Sequence, residues 1–239
     1  MESDVSEARV HFVTGTDTGI GKTLVSCALV HALRARGVAA VGMKPVASGA
    51  EQVDGRWVNE DAEALARASG LAAPTSRTNP YLFAAPLAPH VAAAREGRSI
   101  DRGVIVDALT GLRRTARHVI VEGVGGFVVP LGDDWTTADL ARDMGASVIL
   151  VVGLRLGCIN HALLSAEAIR ARGLELAGWV ANCQPEGMLE QDATIDALKV
   201  RLMAPILGII PRLSGADYVS ASEALDIRPL LASNAVNLS

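Results

Sequence analysis

The chain has 239 residues, half of them apolar and only 3% aromatic, with 22 basic against 26 acidic side chains and a formal net charge of −4. Such a length can bury a sizeable core, here built from Ala, Val, Leu and Ile, and the acidic balance argues against a nucleic-acid partner. The longest apolar run, residues 148–152, is far too short to span a bilayer, and the polar opening MESDVSEAR has no signal-peptide core.

In chain order, residues 1–9 are expected to be a flexible extension. Short β-branched runs then recur at residues 10–14, 38–46, 118–122, 147–152, 176–181 and 206–210. Between them lie Ala-, Leu- and Arg-rich stretches of helical periodicity at residues 22–36, 100–114, 161–172 and 189–202, and Asp61 heads a further helix in NEDAEALAR. Arg113, Arg114 and Arg117 read as one solvated helix face. Residues 74–90 are the least regular region, because Pro74, Pro80, Pro86 and Pro89 forbid a continuous helix, and they are expected to wrap over the sheet near its functional edge. Strands apolar on both faces, alternating with helices, predict a single α/β domain: a mainly parallel sheet covered by helices on both sides, of the P-loop NTPase type. Cys27, Cys158 and Cys183 are isolated, odd in number and form no CxxC pair, so they read as reduced thiols of a cytoplasmic protein.

GTDTGIGKT ends like a Walker A loop, yet five residues rather than four separate Gly15 from Gly21. Its context is a strand, a Gly-rich turn and an amphipathic helix. The turn formed by Gly15, Thr16, Asp17, Thr18, Gly19, Ile20 and Gly21 can aim backbone N–H groups and a helix dipole at phosphate. Lys22 adds a positive charge, and Thr23 offers a hydroxyl to Mg²⁺. Partitioning ATPases carry an extra lysine early in this loop, at the place Asp17 occupies here. Lys44 lies in GMKPVASG at the end of a strand, where ligands of open α/β sheets gather, and reads as a second cation beside the phosphates. Glu122 closes the strand HVIVE before a Gly-rich turn, a Walker B position for holding Mg²⁺. Asp61 suits either a metal ligand or a first-turn acid favoured by the helix dipole. No HExxH, GxSxG or GxGxxG occurs, and His11 and His118 imply no role.

These blocks resemble the dethiobiotin synthetases. FVTGTDTGIGKT, KPVASG, the Asp61 segment, NPYLF with APH, VEGVGGFVVPL, VVGLRLGCINHALL and LAGWVAN carry the likeness in order from residue 10 to 213. The five-residue spacing is a feature of that family, whose loop serves substrate as well as phosphate. The resemblance implies an ATP- and Mg²⁺-dependent ligase acting on 7,8-diaminononanoate and CO₂. In its reaction one amine captures CO₂ as a carbamate, ATP phosphorylates the carbamate, and the neighbouring amine closes the ureido ring. It places Lys22 and Lys44 on the phosphates, Thr18 and Ser48 on carbamate or phosphoryl oxygens, and Thr23, Asp61 and Glu122 on Mg²⁺. It also has Asn182 read the adenine edge with backbone near Pro211, although by residue type alone Asn182 is a strand-end turn residue. A homodimer is implied too, in which Gly157, Cys158, Ile159 and Asn160 hold the carboxylate tail of the neighbouring subunit's substrate. Asn160 and His161 are expected to open that helix, with Asn160 as its cap if it has no ligand role. One position departs from the pattern: Gly19 stands where many members are acidic. Two other readings compete. A partitioning-type ATPase switch bound to a protein partner is disfavoured by Asp17, and a glutamine-dependent cobyrinate amidase would need a further glutaminase domain.

Overall fold

All six expected strands pair into one parallel sheet in the computed structural model, which describes residues 8–213, 215 and 217–232. The chain runs β1 (Arg9–Gly15), α1 (Lys22–Ala35), β2 (Ala40–Met43), β3 (Val46–Ser48), β4 (Glu51–Val53), β5 (Arg56–Val58) and α2 (Glu60–Ala68). It continues with β6 (Tyr81–Phe83), α3 (Pro89–Arg95), α4 (Arg102–Arg113), β7 (His118–Glu122), α5 (Thr137–Asp143) and β8 (Ser147–Leu154). The last elements are α6 (Cys158–Ala171), β9 (Leu176–Cys183), α7 (Gln191–Leu202), β10 (Ile206–Ile210), α8 (Tyr218–Glu223) and α9 (Arg228–Leu231). Strand order in the main sheet is β10-β9-β8-β1-β7-β2, which puts β1 and its following loop at the centre.

Successive side chains of a strand point to opposite faces, and both faces here are covered. Phe12, Val148, Leu150 and Val152 pack beneath α4, α5, α6 and α7 with Ile105, Leu140, Ile169 and Leu198. Their neighbours Val13, Ile149 and Val151 pack on the other side with Val25, Leu29 and Leu33 of α1, Leu65 of α2 and Leu230 of α9. No helix among the described residues is long and apolar enough to cross a membrane, and Cys27, Cys158 and Cys183 are free.

Several expectations are corrected in detail. Residues 38–46 do not form one strand: β2 stops at Met43, because Lys44 turns its amide to Thr78 O (2.7 Å) and Pro45 has no amide to give. The chain resumes as β3, paired with β6 inside the proline-rich segment. Arg113, Arg114 and Arg117 do not share a helix face, since α4 ends at Arg113, whose guanidinium reaches Met144 O at 2.6 Å. Helix α6 begins at Cys158 behind Gly157, not at Asn160, which sits in its first turn and cannot be its cap. Of the extension expected over residues 1–9, residues 1–7 lie outside the described residues, and Arg9 already belongs to β1.

At the sheet edge opposite the strands' C-terminal ends, the β1–β7–β8 pairing buries two histidines. Their rings stack with centroids 5.2 Å apart. His11 Nδ1 meets Ser147 Oγ at 2.9 Å, and His11 Nε2 meets His118 Nδ1 at 3.0 Å. Burial, then the partner ring and Arg9, push His11 down to about 3; burial, Arg9 and Arg117 bring His118 down to about 4. Both rings are therefore neutral.

Candidate active site

Pairing register assembles the site. Val13 of β1 lies level with Glu122 of β7, and Met43 of β2 lies level with Val121, so Lys44 emerges beside Glu122 at the sheet's C-terminal edge. The loop after β1 curls over this edge into α1. Thr16 extends the β1–β8 ladder by its amide to Val151 O (3.0 Å), and Lys22 Nζ donates to Asp17 O at 2.9 Å. Gly21 has φ +92 and caps α1, and a Cβ there would fall 2.2 Å from Asn182 Nδ2, so no side chain fits.

Two carboxylates, two lysines and a hydroxyl converge here. Thr23 Oγ1 lies within hydrogen-bond distance of Asp61 Oδ1 (2.7 Å) and Glu122 Oε1 (2.9 Å), and its single proton serves one of them at a time. Lys44 Nζ donates to Asp61 Oδ2 (2.8 Å) and Glu122 Oε1 (2.6 Å). Asp61 reaches the cluster because it lies in the first turn of α2, whose start is fixed by Asn59 Oδ1 accepting from the Ala62 amide at 3.2 Å. Burial opposes charge on Lys44, but Glu122 and Asp61 outweigh it and hold the ammonium above its ordinary value. Burial pushes Glu122 up against the pull of Lys44, whereas the charge and hydrogen bonds of Lys44 overcome burial at Asp61 and bring it down. Burial, then Lys44, lower Lys22 to about 8. Cys27 also faces the cavity, but burial raises its thiol to about 12, which leaves it no nucleophile at neutral pH.

A cavity of about 900 Å³ opens over this cluster, lined by Thr18, Gly19, Gly21, Lys22, Thr23, Lys44, Ser48, Asp61 and Glu122. Pro86, Leu87, Ala88 and Pro89 form one wall, so the proline-rich segment does close over the functional edge, and Ser48 Oγ donates to Leu87 O at 2.9 Å. Val124 and Val129 add apolar surface, while Arg67 and Tyr218 line the same cavity. Of these wall residues only Pro86 and Pro89 stand out in the sequence, and there as helix breakers. The Asn59 cap ahead of an acidic first turn was the one local signal available.

A model described as an AAA domain matches residues 9–218. The ATP-dependent dethiobiotin synthetase BioD of Aromatoleum aromaticum is 55% identical over 221 residues, covering 92% of this chain and 98% of that protein. The protein of the same name from a Janthinobacterium species is 50% identical, covering 90% and 93%. The chain belongs to the dethiobiotin synthetase family. Solved structures add the fold alone: MinD of Aquifex aeolicus (TM-score 0.53, 16% identity, 91% of this chain and 88% of that one) and FtsY of Thermotoga maritima (0.51, 17%, 95% and 69%).

The positions carried over from the dethiobiotin synthetases divide into three groups. Those from Thr18 to Thr23, except the core residue Ile20, line the cavity with Lys44, Ser48, Asp61 and Glu122. Gly15, Thr16 and Asp17 shape the loop beneath it, and Asp17 Oδ2 is paired with Arg155, which the sequence did not suggest. Asn182 and Pro211 are neighbours, because Ile210 lies level with Asn182, but neither lines the cavity. Asn182 instead donates to Ile20 O at 2.8 Å and steadies the phosphate loop from below. Gly157, Cys158, Ile159 and Asn160 lie outside this cavity as well. Gly19 (φ +74) has open space where a side chain would stand.

Proposed function

We propose that this chain is an ATP-dependent dethiobiotin synthetase that joins CO₂ to 7,8-diaminononanoate. The observation that carries the reading is the gathering of Lys22, Lys44, Asp61 and Glu122 around one phosphate-binding loop, in a chain 55% identical to such an enzyme along nearly its whole length. One amine adds to CO₂ and loses a proton, giving a carbamate. A carbamate oxygen attacks the γ-phosphorus and ADP leaves. The second amine attacks the carbonyl carbon of this mixed anhydride, and phosphate leaves as the ring closes.

The protein's task is to hold several negative charges together. Lys22 and Lys44 supply positive charge and Thr18 offers a hydroxyl donor from the cavity wall, as does Ser48 once its hydroxyl turns from Leu87 O, an arrangement suited to charge that shifts between oxygens. Thr23, Asp61 and Glu122 fit Mg²⁺: all are hard oxygen donors, and Glu122 Oε2 is buried with no hydrogen-bond partner. When bound there, Mg²⁺ neutralises phosphate charge. The apolar wall of Pro86, Leu87, Val124 and Val129 suits the hydrocarbon part of the diamine.

The active unit in this reading is a homodimer. Gly157 to Asn160 open α6 outside their own chain's cavity; the Cys158 amide donates to Arg155 O at 3.0 Å, and those of Ile159 and Asn160 follow it in the first turn, where a helix offers N–H groups to anions. Next to them Leu156 is 96% exposed and Leu164 56%, apolar surface suited to a second copy. In this arrangement one subunit carries the chemistry and its neighbour holds the carboxylate tail. ADP release measured with and without diaminononanoate and bicarbonate tests the function; release that ignores the diamine refutes it. Light scattering tests the dimer: a fully active monomer at assay concentration removes it.

A further inference from the structure

Lys44 is held in two different ways. Its backbone is pinned, the amide donating to Thr78 O at 2.7 Å and the carbonyl accepting from Asn79 Nδ2 at 2.7 Å. Its ammonium, at the end of a flexible four-carbon stem, rests on Asp61 Oδ2, Glu122 Oε1 and, at 3.4 Å, Gly123 O. The stem can therefore swing without moving the strand.

The carboxylates Lys44 holds are the two that also fit a divalent cation. A divalent cation on these carboxylates would stand close to the Lys44 ammonium, and like charges at such a separation repel. Lys44 occupies one oxygen of each carboxylate, and Glu122 Oε2 is an acceptor that neither Lys44 nor Thr23 uses. Asp61 has 41% of its side chain exposed to the cavity, so the cluster is open to an incoming ion.

We propose that the Lys44 ammonium and a divalent cation are alternative partners of the Asp61–Glu122 pair, and that Lys44 turns to anionic substrate oxygens once the cation takes the carboxylates. The inference rests on Thr23, Asp61 and Glu122 being the metal ligands, and it deepens that reading: Lys44 sets the affinity for the metal and is freed for the phosphoryl group in the same event. The exchange makes the second phosphate-binding cation conditional on the first. A lysine suits this role because a single ammonium changes partners by rotation, whereas a guanidinium forks onto fixed planes.

Mn²⁺ binding without nucleotide, followed by electron paramagnetic resonance at pH 8, is the test. Lys44→Met is expected to bind Mn²⁺ at least tenfold more tightly than the unmodified protein, and Lys44→Met/Asp61→Asn to lose that gain. Equal or weaker binding by a folded Lys44→Met overturns the proposal. That variant removes the cation hydrogen-bonded to buried Glu122 and half-buried Asp61, so the unmodified protein supplies a second measurement. The chain has three lysines, Lys22, Lys44 and Lys199, which makes their Nζ resonances separable by NMR. The Lys44 resonance should move saturably with Mg²⁺ while that of Lys199 stays in place; a Lys44 resonance unmoved at concentrations that displace bound Mn²⁺ overturns the exchange. Failure of the underlying metal assignment looks different: Asp61→Asn alone would leave binding of the Mn²⁺–ATP complex unchanged, and the competition would fall with the site.

Discussion

Acidification from pH 7 to pH 5 should weaken the fold through His11 and His118, and the structure gives the size of the effect. An unfolded histidine titrates near 6.5, so protonation at pH 5 lowers the free energy of the unfolded chain by about 2 kcal/mol per ring. The folded rings, at about 3 and about 4, take up almost no proton at that pH and gain nothing in return. The unfolded state binds more protons throughout this range, so stability falls with pH, from just above 6.5 downward, and levels off below about 3. The geometry explains the resistance to protonation: in the chain from Ser147 Oγ through His11 to His118, each contact pairs one donor with one acceptor. With His11 Nε2 as the donor, a proton on His118 Nδ1 would set two donors face to face, and Arg9 and Arg117 oppose the added charge in either tautomer. The two rings together are expected to remove about 3–4 kcal/mol between pH 7 and pH 5, a large share of a typical total of about 5–15 kcal/mol. Urea unfolding at several pH values, on the unmodified protein and on His11→Gln/His118→Gln, isolates the contribution. The double variant is expected to show a shallower dependence on pH by that amount, whatever its absolute stability. Parallel curves for the two proteins between pH 7 and pH 5 would refute the reasoning.

Lys22 is charged below about 8 and neutral above it, so kcat/KM for ATP should fall on the alkaline side of that value by up to tenfold per pH unit; a flat profile from pH 7 to 9.5 counts against its phosphate contact. Lys22→Ala should lose about a hundredfold or more in kcat with circular dichroism unchanged. Gly19→Glu has room for its side chain but forces a non-glycine residue to φ +74, so it should fold with about 1 kcal/mol less stability and shift KM for the diamine more than kcat. A stable variant with no turnover would show that the position does more than border the substrate. Asn182→Ala leaves Ile20 O only the longer bond from Gln184 Nε2 (3.4 Å) and loosens the loop, and should cost about 1–2 kcal/mol in thermal or urea unfolding and raise KM for ATP.

The strands were legible because β-branched runs buried on both faces leave a local signature, and the phosphate loop because its glycines, lysine and threonine are consecutive. What stayed hidden was either non-local or made by backbone. His11 and His118 lie 107 residues apart and meet only through strand register; Arg155 and Asp17 are 138 apart. The start of α6 was misplaced because Gly157 caps it by conformation (φ +93), which leaves no side-chain signal, while Asn160 carries the residue type expected of a cap. The site itself was half legible. Lys44, Asp61 and Glu122 each stood at an element end, but nothing local shows that all three touch.

One compositional signal did point at the contact. Lysine is scarce in this chain, and of its three, Lys22 and Lys44 are buried at the same cavity. Elsewhere the half-buried cations are arginines with fixed work, among them Arg9 on Leu230 O and Arg113 on Met144 O. Each of these ties an element to a neighbouring carbonyl, a role that rewards a rigid fork. The cavity asks for the opposite, a point charge that can release one oxygen and take another as phosphate moves from ATP to carbamate. That division of labour explains why burial is tolerated at Lys44: the carboxylates keep it charged, and keep it within one side-chain rotation of the place where its charge is used.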